Sequence, residues 1–198
     1  MTELKVTVSA VAVAALLSGT ALADAPAAAT HFASDPAKSS LNFSFMQAGA
    51  ENTGKFTKFP VALDASADGA TVSKLDVTVD MTTLDSGDKD RDDTLRGADL
   101  FSVSKFPKAH FVATQITRTA TGFDALGKLT LRDVTRDQHV QFTLRSVNEQ
   151  GHPALYLTGK ATVHRLDYGV GQGDWKSTEW VGADVTVTYN VRLAPGTT

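Results

Sequence analysis

The sequence contains no cysteine. That excludes thiolate catalysis, thiolate metal sites, disulfide staples and covalent haem attachment. Basic residues are not in excess: 19 Lys and Arg stand against 22 Asp and Glu, giving a net charge of −3. Such a balance offers nothing to neutralise a phosphate backbone, so nucleic acid is not an expected partner. Beyond the first 23 residues, no apolar run approaches the roughly 20 residues that a membrane-spanning helix needs. Local catalytic signatures are also missing. There is no G-x-S-x-G elbow. The five histidines (His31, His110, His139, His152 and His164) show neither H-x-H nor H-E-x-x-H spacing, and an isolated strand histidine is ordinarily structural or on the surface. The stretch GVGQGDW, Gly169 to Trp175, lacks both G-x-G-x-x-G and the Gly-Lys-Ser/Thr of a phosphate loop. It reads as a rim loop, with Trp175 and Trp180 closing over an opening. Asn42-Phe43-Ser44 matches a glycosylation acceptor only by chance, in mid-strand.

What is present is an ordinary globular balance, 42% hydrophobic and 21% charged, enough for one core. The opening MTELKVTVSAVAVAALLSGTALA has one early Lys, an apolar run from Val6 to Leu17, and the small-x-small triplet Ala21-Leu22-Ala23. This is the layout of a secretory signal peptide cleaved before Asp24. The expected organisation is a signal peptide over 1–23, a disordered Ala/Pro-rich lead-in over 24–30, and one domain over 31–194.

Within that domain, apolar and polar residues alternate. Leu41, Phe43 and Phe45 fall on one face of LNFSF. Leu75, Val77, Val79 and Met81 do so in KLDVTVDM, Val140, Phe142 and Leu144 in HVQFTL, and Val185, Val187, Tyr189 and Val191 in ADVTVTYNV. Period two over four to eight residues predicts strands with one buried face. The same pattern predicts strands at Gly54–Asp64, Ala109–Gln115, Gly122–Ala125, Lys128–Leu131 and Leu155–His164. Turn signals separate them at Asp68-Gly69, Thr121-Gly122 and Asn148 to Pro153. Eight or nine strands without regular helix alternation predict an all-β antiparallel sandwich or closed barrel. Nine of the ten phenylalanines, all but Phe32, lie in or beside the expected core elements. They fit either a packed aromatic core or an apolar cavity for a hydrocarbon-rich ligand.

One stretch invites a metal reading. DSGDKDRDDTLRG, Asp85 to Gly97, lays Asp88, Asp90 and Asp92 on the first three ligand positions of a calcium loop. The pattern then fails, with Asp93 where the turn glycine belongs and Asp99 where the bidentate glutamate belongs. A helix accounts for it better: acidic residues suit the first turn, Arg96 suits the last, and Leu95, Ala98 and Phe101 form a narrow apolar stripe. That helix is expected to pack over the open end of the sheet. Asp76, Asp80 and His139 fall on polar strand faces, away from the interior that an enzyme site would need.

Taken together, five segments resemble the YceI-like family of exported, lipocalin-like proteins. They are SSLNFSF, TGKFTKF, the long segment LDSGDKDRDDTLRGADLFSVSKFPKAHF, GKLTLRDVTRDQHVQFTL and HRLDYGVGQGDW. The resemblance implies an up-and-down antiparallel barrel of about eight strands with a short helix near one mouth. It implies a periplasmic binding or carrier protein that holds a polyisoprenoid or an isoprenoid quinone in an apolar cavity, without catalysis, metal or cofactor. The expected cavity-lining residues are Phe43, Phe45, Phe56, Phe59, Val77, Val79, Met81, Leu95, Leu100, Phe101, Phe111, Phe123, Leu129, Phe142, Leu157 and Trp175. Two departures stand out. Met46-Gln47 and Thr94 occupy positions where many members carry Lys-His and His. The Gln form and the Gly-Asp-Trp turn resemble a branch associated with membrane cytochromes of the b561 type, which makes such a cytochrome an expected partner. A second copy of the chain, forming a homodimer, stays open. So do a stress-related scavenger of foreign apolar compounds, a quinone- or metal-using enzyme in the same cavity, and a filled barrel acting as an adaptor.

Overall fold

The alternating segments become strands because each has one apolar face to bury. The computed structural model describes residues 29–196; the expected signal peptide and residues 24–28 of the lead-in lie outside them. Among the described residues eleven strands are formed: β1 (Thr30–Ser34), β2 (Ser40–Gln47), β3 (Ala50–Phe56), β4 (Val61–Ala65), β5 (Val72–Asp80), β6 (Leu84–Asp85), β7 (Lys108–Arg118), β8 (Phe123–Leu131), β9 (Val134–Glu149), β10 (His152–His164) and β11 (Val181–Pro195). One α-helix, α1 (Lys89–Arg96), lies between β6 and β7.

The pairings reduce these strands to eight staves in sequence order. β1 and β2 both run antiparallel to the long β11, Ser34 facing Leu193 and Ser40 facing Asn190. They form one stave, kinked at the 3-10 turn Pro36–Lys38. β3 pairs with β2 and β4 pairs with β1, giving the second stave. β5 and β6 pair with β4 and β3, giving the third. β7 to β11 follow as neighbours, and β1 on β11 closes the cylinder. The result is the expected eight-stranded, up-and-down antiparallel barrel, with the β9–β10 ladder ending at Gln141 and Lys160.

Some local expectations change. The strand expected at Gly54–Asp64 is a stave broken between Phe56 and Val61, where Pro60 supplies no N–H to a ladder. The gap is bridged by Thr83, whose hydroxyl accepts from the amides of Thr57 and Lys58. The two strands expected at Gly122–Ala125 and Lys128–Leu131 are one, β8. The stave begins at Thr30, inside the expected lead-in. Phe32, the phenylalanine set apart from the core, is fully buried there. A five-residue strand offers too short a pattern to reveal its inward side.

The stretch Asp85 to Gly97 forms a capped helix. Asp88 accepts from the Arg91 amide at 2.9 Å as N-cap, and Gly97 ends the helix. Ala98 and Phe101 therefore lie past its end, in a turn that reaches Ser102, so the apolar stripe continues on irregular chain. Asp92 is buried and accepts from the Ser86 amide and hydroxyl at 2.8 and 2.6 Å, while Asp93 pairs with Lys89. These carboxylates serve the helix and its entry turn. Among the described residues no group of three or more His, Asp and Glu is placed to hold a metal ion.

Candidate functional site

The barrel has two different ends. At one, α1, the segment Gly97–Ser102 and the loop 169–176 gather over the strand ends. Asp99 carbonyl accepts from the amides of Gly171 and Gln172, and Arg132 donates to the carbonyls of Leu100 and Gly169, tying these pieces together. At the other end, the turn over 66–71 folds beneath the strands.

Behind the first end lies an apolar cavity of about 190 Å³. Its wall includes Phe43, Phe56, Phe59, Val77, Val79, Met81, Phe101, Phe111, Leu129 and Leu157, ten of the residues expected to line it. An outer chamber of about 320 Å³ lies under α1 and the 169–176 loop, lined by Phe43, Phe45, Leu95, Leu100, Phe101 and Trp175 among others. The chambers share Phe43, Phe101, Arg165 and Val185, so they adjoin.

The other two expected residues, Phe123 and Phe142, line neither chamber. They stack on each other with centroids 5.3 Å apart and are almost fully buried. Their place in the strand pattern matches that of the wall phenylalanines, but here the barrel is filled. Trp180 is 64% exposed and does not close the opening, unlike Trp175. Wall residues absent from the expectation include Leu41, Val140, Val185, Val187, Tyr189 and Val191. Strand parity alone placed these on inward faces.

Three side chains with polar groups reach the deep wall, Gln138, Arg165 and Tyr189, and all three donate to backbone carbonyls. Gln138 donates to the carbonyls of His139 and Thr162. Arg165, 3% exposed, follows β10. Its Nε donates to Gly182 O, its Nη1 to Val170 O and Trp175 O, and its Nη2 to Ser177 O and Val181 O, at 2.7 to 3.2 Å. All five guanidinium donors are thus spent on backbone. Burial lowers its pKa, yet arginine keeps its charge in proteins. Arg165 falls in the HRLDYGVGQGDW segment of the family resemblance, but its contacts were not legible there, because they depend on a loop whose carbonyls return 5 to 17 residues later. Tyr189 lies across Gly159 and donates to Gln141 O at 2.6 Å; burial raises its pKa. A side chain at Gly159 would collide with that carbonyl and with the ring. The deep cavity therefore presents hydrocarbon, with its polar neighbours satisfied by protein.

The outer chamber differs. Gln47, Asp90, Arg91 and Thr94 contribute to its lining. Gln47 and Thr94, the positions of the two family departures, are thus brought to one place. Arg91 is oriented by Ser86 and Asn52.

The titratable residues considered for an enzyme lie on the outside. His110 meets Asp76 at 2.8 Å, and His139 meets Asp124 at 3.0 Å. His31–Asp64 and His164–Asp184 are built alike, so four alternate seams of the barrel each carry one His–Asp pair. Asp80 caps the turn at Thr82.

Comparison with known proteins agrees with this architecture. A UPF0312 protein of Shewanella sp. (strain ANA-3) is 30% identical over 165 residues, spanning 79% of this chain and 85% of that one. The crystal structure of Burkholderia cenocepacia BcnA superposes with a TM-score of 0.70 at 26% identity, covering 80% of this chain and 98% of that one. A polyisoprenoid binding domain from Saccharophagus degradans, implicated in plant cell wall breakdown, shares the fold at a TM-score of 0.58 and 16% identity, over 85% of this chain and 99% of that one. The YceI-like domain family matches residues 32–193, and the chain belongs to that family.

Proposed function

We propose that this protein is an exported carrier that binds a polyisoprenoid lipid, such as an isoprenoid quinone, by its hydrocarbon tail and performs no catalysis. The observation that carries the reading is the deep cavity, whose polar wall residues, Gln138, Arg165 and Tyr189, all turn their donors to backbone carbonyls. Such a wall gains nothing from a polar ligand group. It gains about 25 cal/mol for each Å² of apolar surface withdrawn from water. The polyisoprenoid binding domain of the same fold supports this choice of ligand class. The head group would lie in the outer chamber among Gln47, Asp90, Arg91 and Thr94. Export to the periplasm rests on the signal-peptide pattern ahead of Asp24. A quinone cargo would suit a membrane cytochrome of the b561 type as partner.

Native mass spectrometry of the protein purified from its own cell envelope tests the reading. A co-purifying prenyl lipid, and a chain that begins at Asp24, are expected. A protein that stays empty and rejects prenyl quinones at micromolar concentration would overturn it.

A further inference from the structure

The filled end of the barrel has a consequence for ligand choice. On β9, Val140 lines the cavity, whereas Phe142, the next inward residue, does not. On β10 the same change falls between Leu157 and Leu155, and on β11 between Val191 and Leu193. Leu155 and Leu193 are fully buried, and Phe142 is stacked on Phe123. The wall thus gives way to a packed floor part of the way down several staves.

The floor is backed from below. Gly69 in the 66–71 turn lies against Leu144 and Leu155. Ser146 donates to Ala67 O, and Arg118 donates to Ala70 O while its guanidinium sits 5.3 Å from the Phe123 ring centroid. A chain that enters from the α1 end meets a floor with a turn tied across it.

We propose that the Phe123–Phe142 stack is the length stop of this protein, fixing how many isoprene units the barrel buries. This rests on the tail-binding reading above and adds chain-length selectivity to it. The lining stretch of β11, Val185 to Val191, covers six residue steps. At about 3.4 Å per step and a tilt of about 40°, that is about 15 Å along the barrel axis. An isoprene unit puts four carbons in line at bonds of about 1.5 Å, advancing about 5 Å, so the length admits about three units, while the volume of about 190 Å³ admits about one to two, a cavity of about 150 Å³ being filled by one benzene. Further units occupy the outer chamber or emerge.

The test offers delipidated protein an equimolar mixture of all-trans prenols of two to ten isoprene units and reads occupancy by native mass spectrometry. Wild-type occupancy is expected to climb several-fold per unit and then level off. Phe142→Ala removes half the stack and is expected to move the levelling point up by about one unit. Val140→Phe fills the space just above the floor and is expected to move it down by about one. Phe142→Leu provides a milder opening if the alanine variant does not fold. Occupancy that rises without levelling, or a levelling point that stays put in folded Phe142 and Val140 variants, would overturn the length stop while leaving tail binding intact. Rejection of every prenol at every length would overturn both.

Discussion

Removing the Arg165 guanidinium should damage this protein more than removing any other single charge. The Arg165→Ala change leaves five carbonyls without their donor. Those of Gly182, Trp175 and Ser177 take part in partly exposed bonds, where water can replace the lost partner. The bonds to Val170 and Val181 are buried. An orphaned buried acceptor costs about 1–3 kcal/mol, so these two alone predict a loss of about 4 kcal/mol. That is a large share of the about 5–15 kcal/mol that typically holds a domain together. With a urea slope of about 2 kcal/mol per M, the unfolding midpoint falls by about 2 M. Arg165→Lys should fall between, since an ammonium has three donors for five acceptors. Arg165→Met should do at least as much harm as alanine, because it fills the space that water would enter. Ligand binding should weaken in parallel, because Trp175 and Val181 belong both to this clasp and to the outer chamber wall. The assay is urea unfolding followed by tryptophan fluorescence and far-UV circular dichroism. A loss below about 1 kcal/mol for Arg165→Ala would show that the loop holds without the guanidinium, and the reasoning would fail.

Other perturbations separate cavity from surface. Val187→Asp places a carboxylate in the deep wall and should lower prenyl-tail affinity at least tenfold, while Thr188→Asp, on the exposed face next to it, should not; equal effects in a binding titration would contradict the assigned faces. Asp88→Ala removes the N-cap of α1 and should cost about 1 kcal/mol by urea unfolding. Tyr189→Phe deletes the bond to Gln141 O and should cost a similar amount, about 1 kcal/mol, with the fold unchanged. Stability should fall on acidification. The hydrogen bond from Arg192 holds the Glu149 carboxyl below the ordinary range, and that from Ser66 does the same for Asp68. A depressed carboxylate contributes its stability above an unfolded pKa of about 4, and that contribution is lost as pH drops through the lower folded value. Glu149→Gln should therefore flatten the urea midpoint against pH below about pH 4.5, and an unchanged slope would exclude this pair as a source.

Much of the fold was legible because strands report themselves locally. Period two in LNFSF, KLDVTVDM, HVQFTL and ADVTVTYNV marked inward faces that the barrel uses, and the acidic first turn at Asp88 marked a helix start rather than a cation loop. Parity also made Val187 and Tyr189 recognisable as interior residues. It could not distinguish wall from floor. Phe43 and Phe142 have the same chemistry and the same alternation, yet one lines a cavity and the other fills the barrel. The difference lies in what stands beside and beneath it: Phe142 meets Phe123 across the β8–β9 ladder and a floor backed by the 66–71 turn, a segment far away in sequence. Phe32 is buried for the same reason, because β1 closes the cylinder between β4 and β11. The sequence by itself thus determined which residues point inward, since that depends on a repeat of two along one strand. Only the tertiary structure decided which of them surround empty space, and that Arg165 spends its charge on backbone rather than on a ligand, because both depend on how distant staves and a returning loop meet.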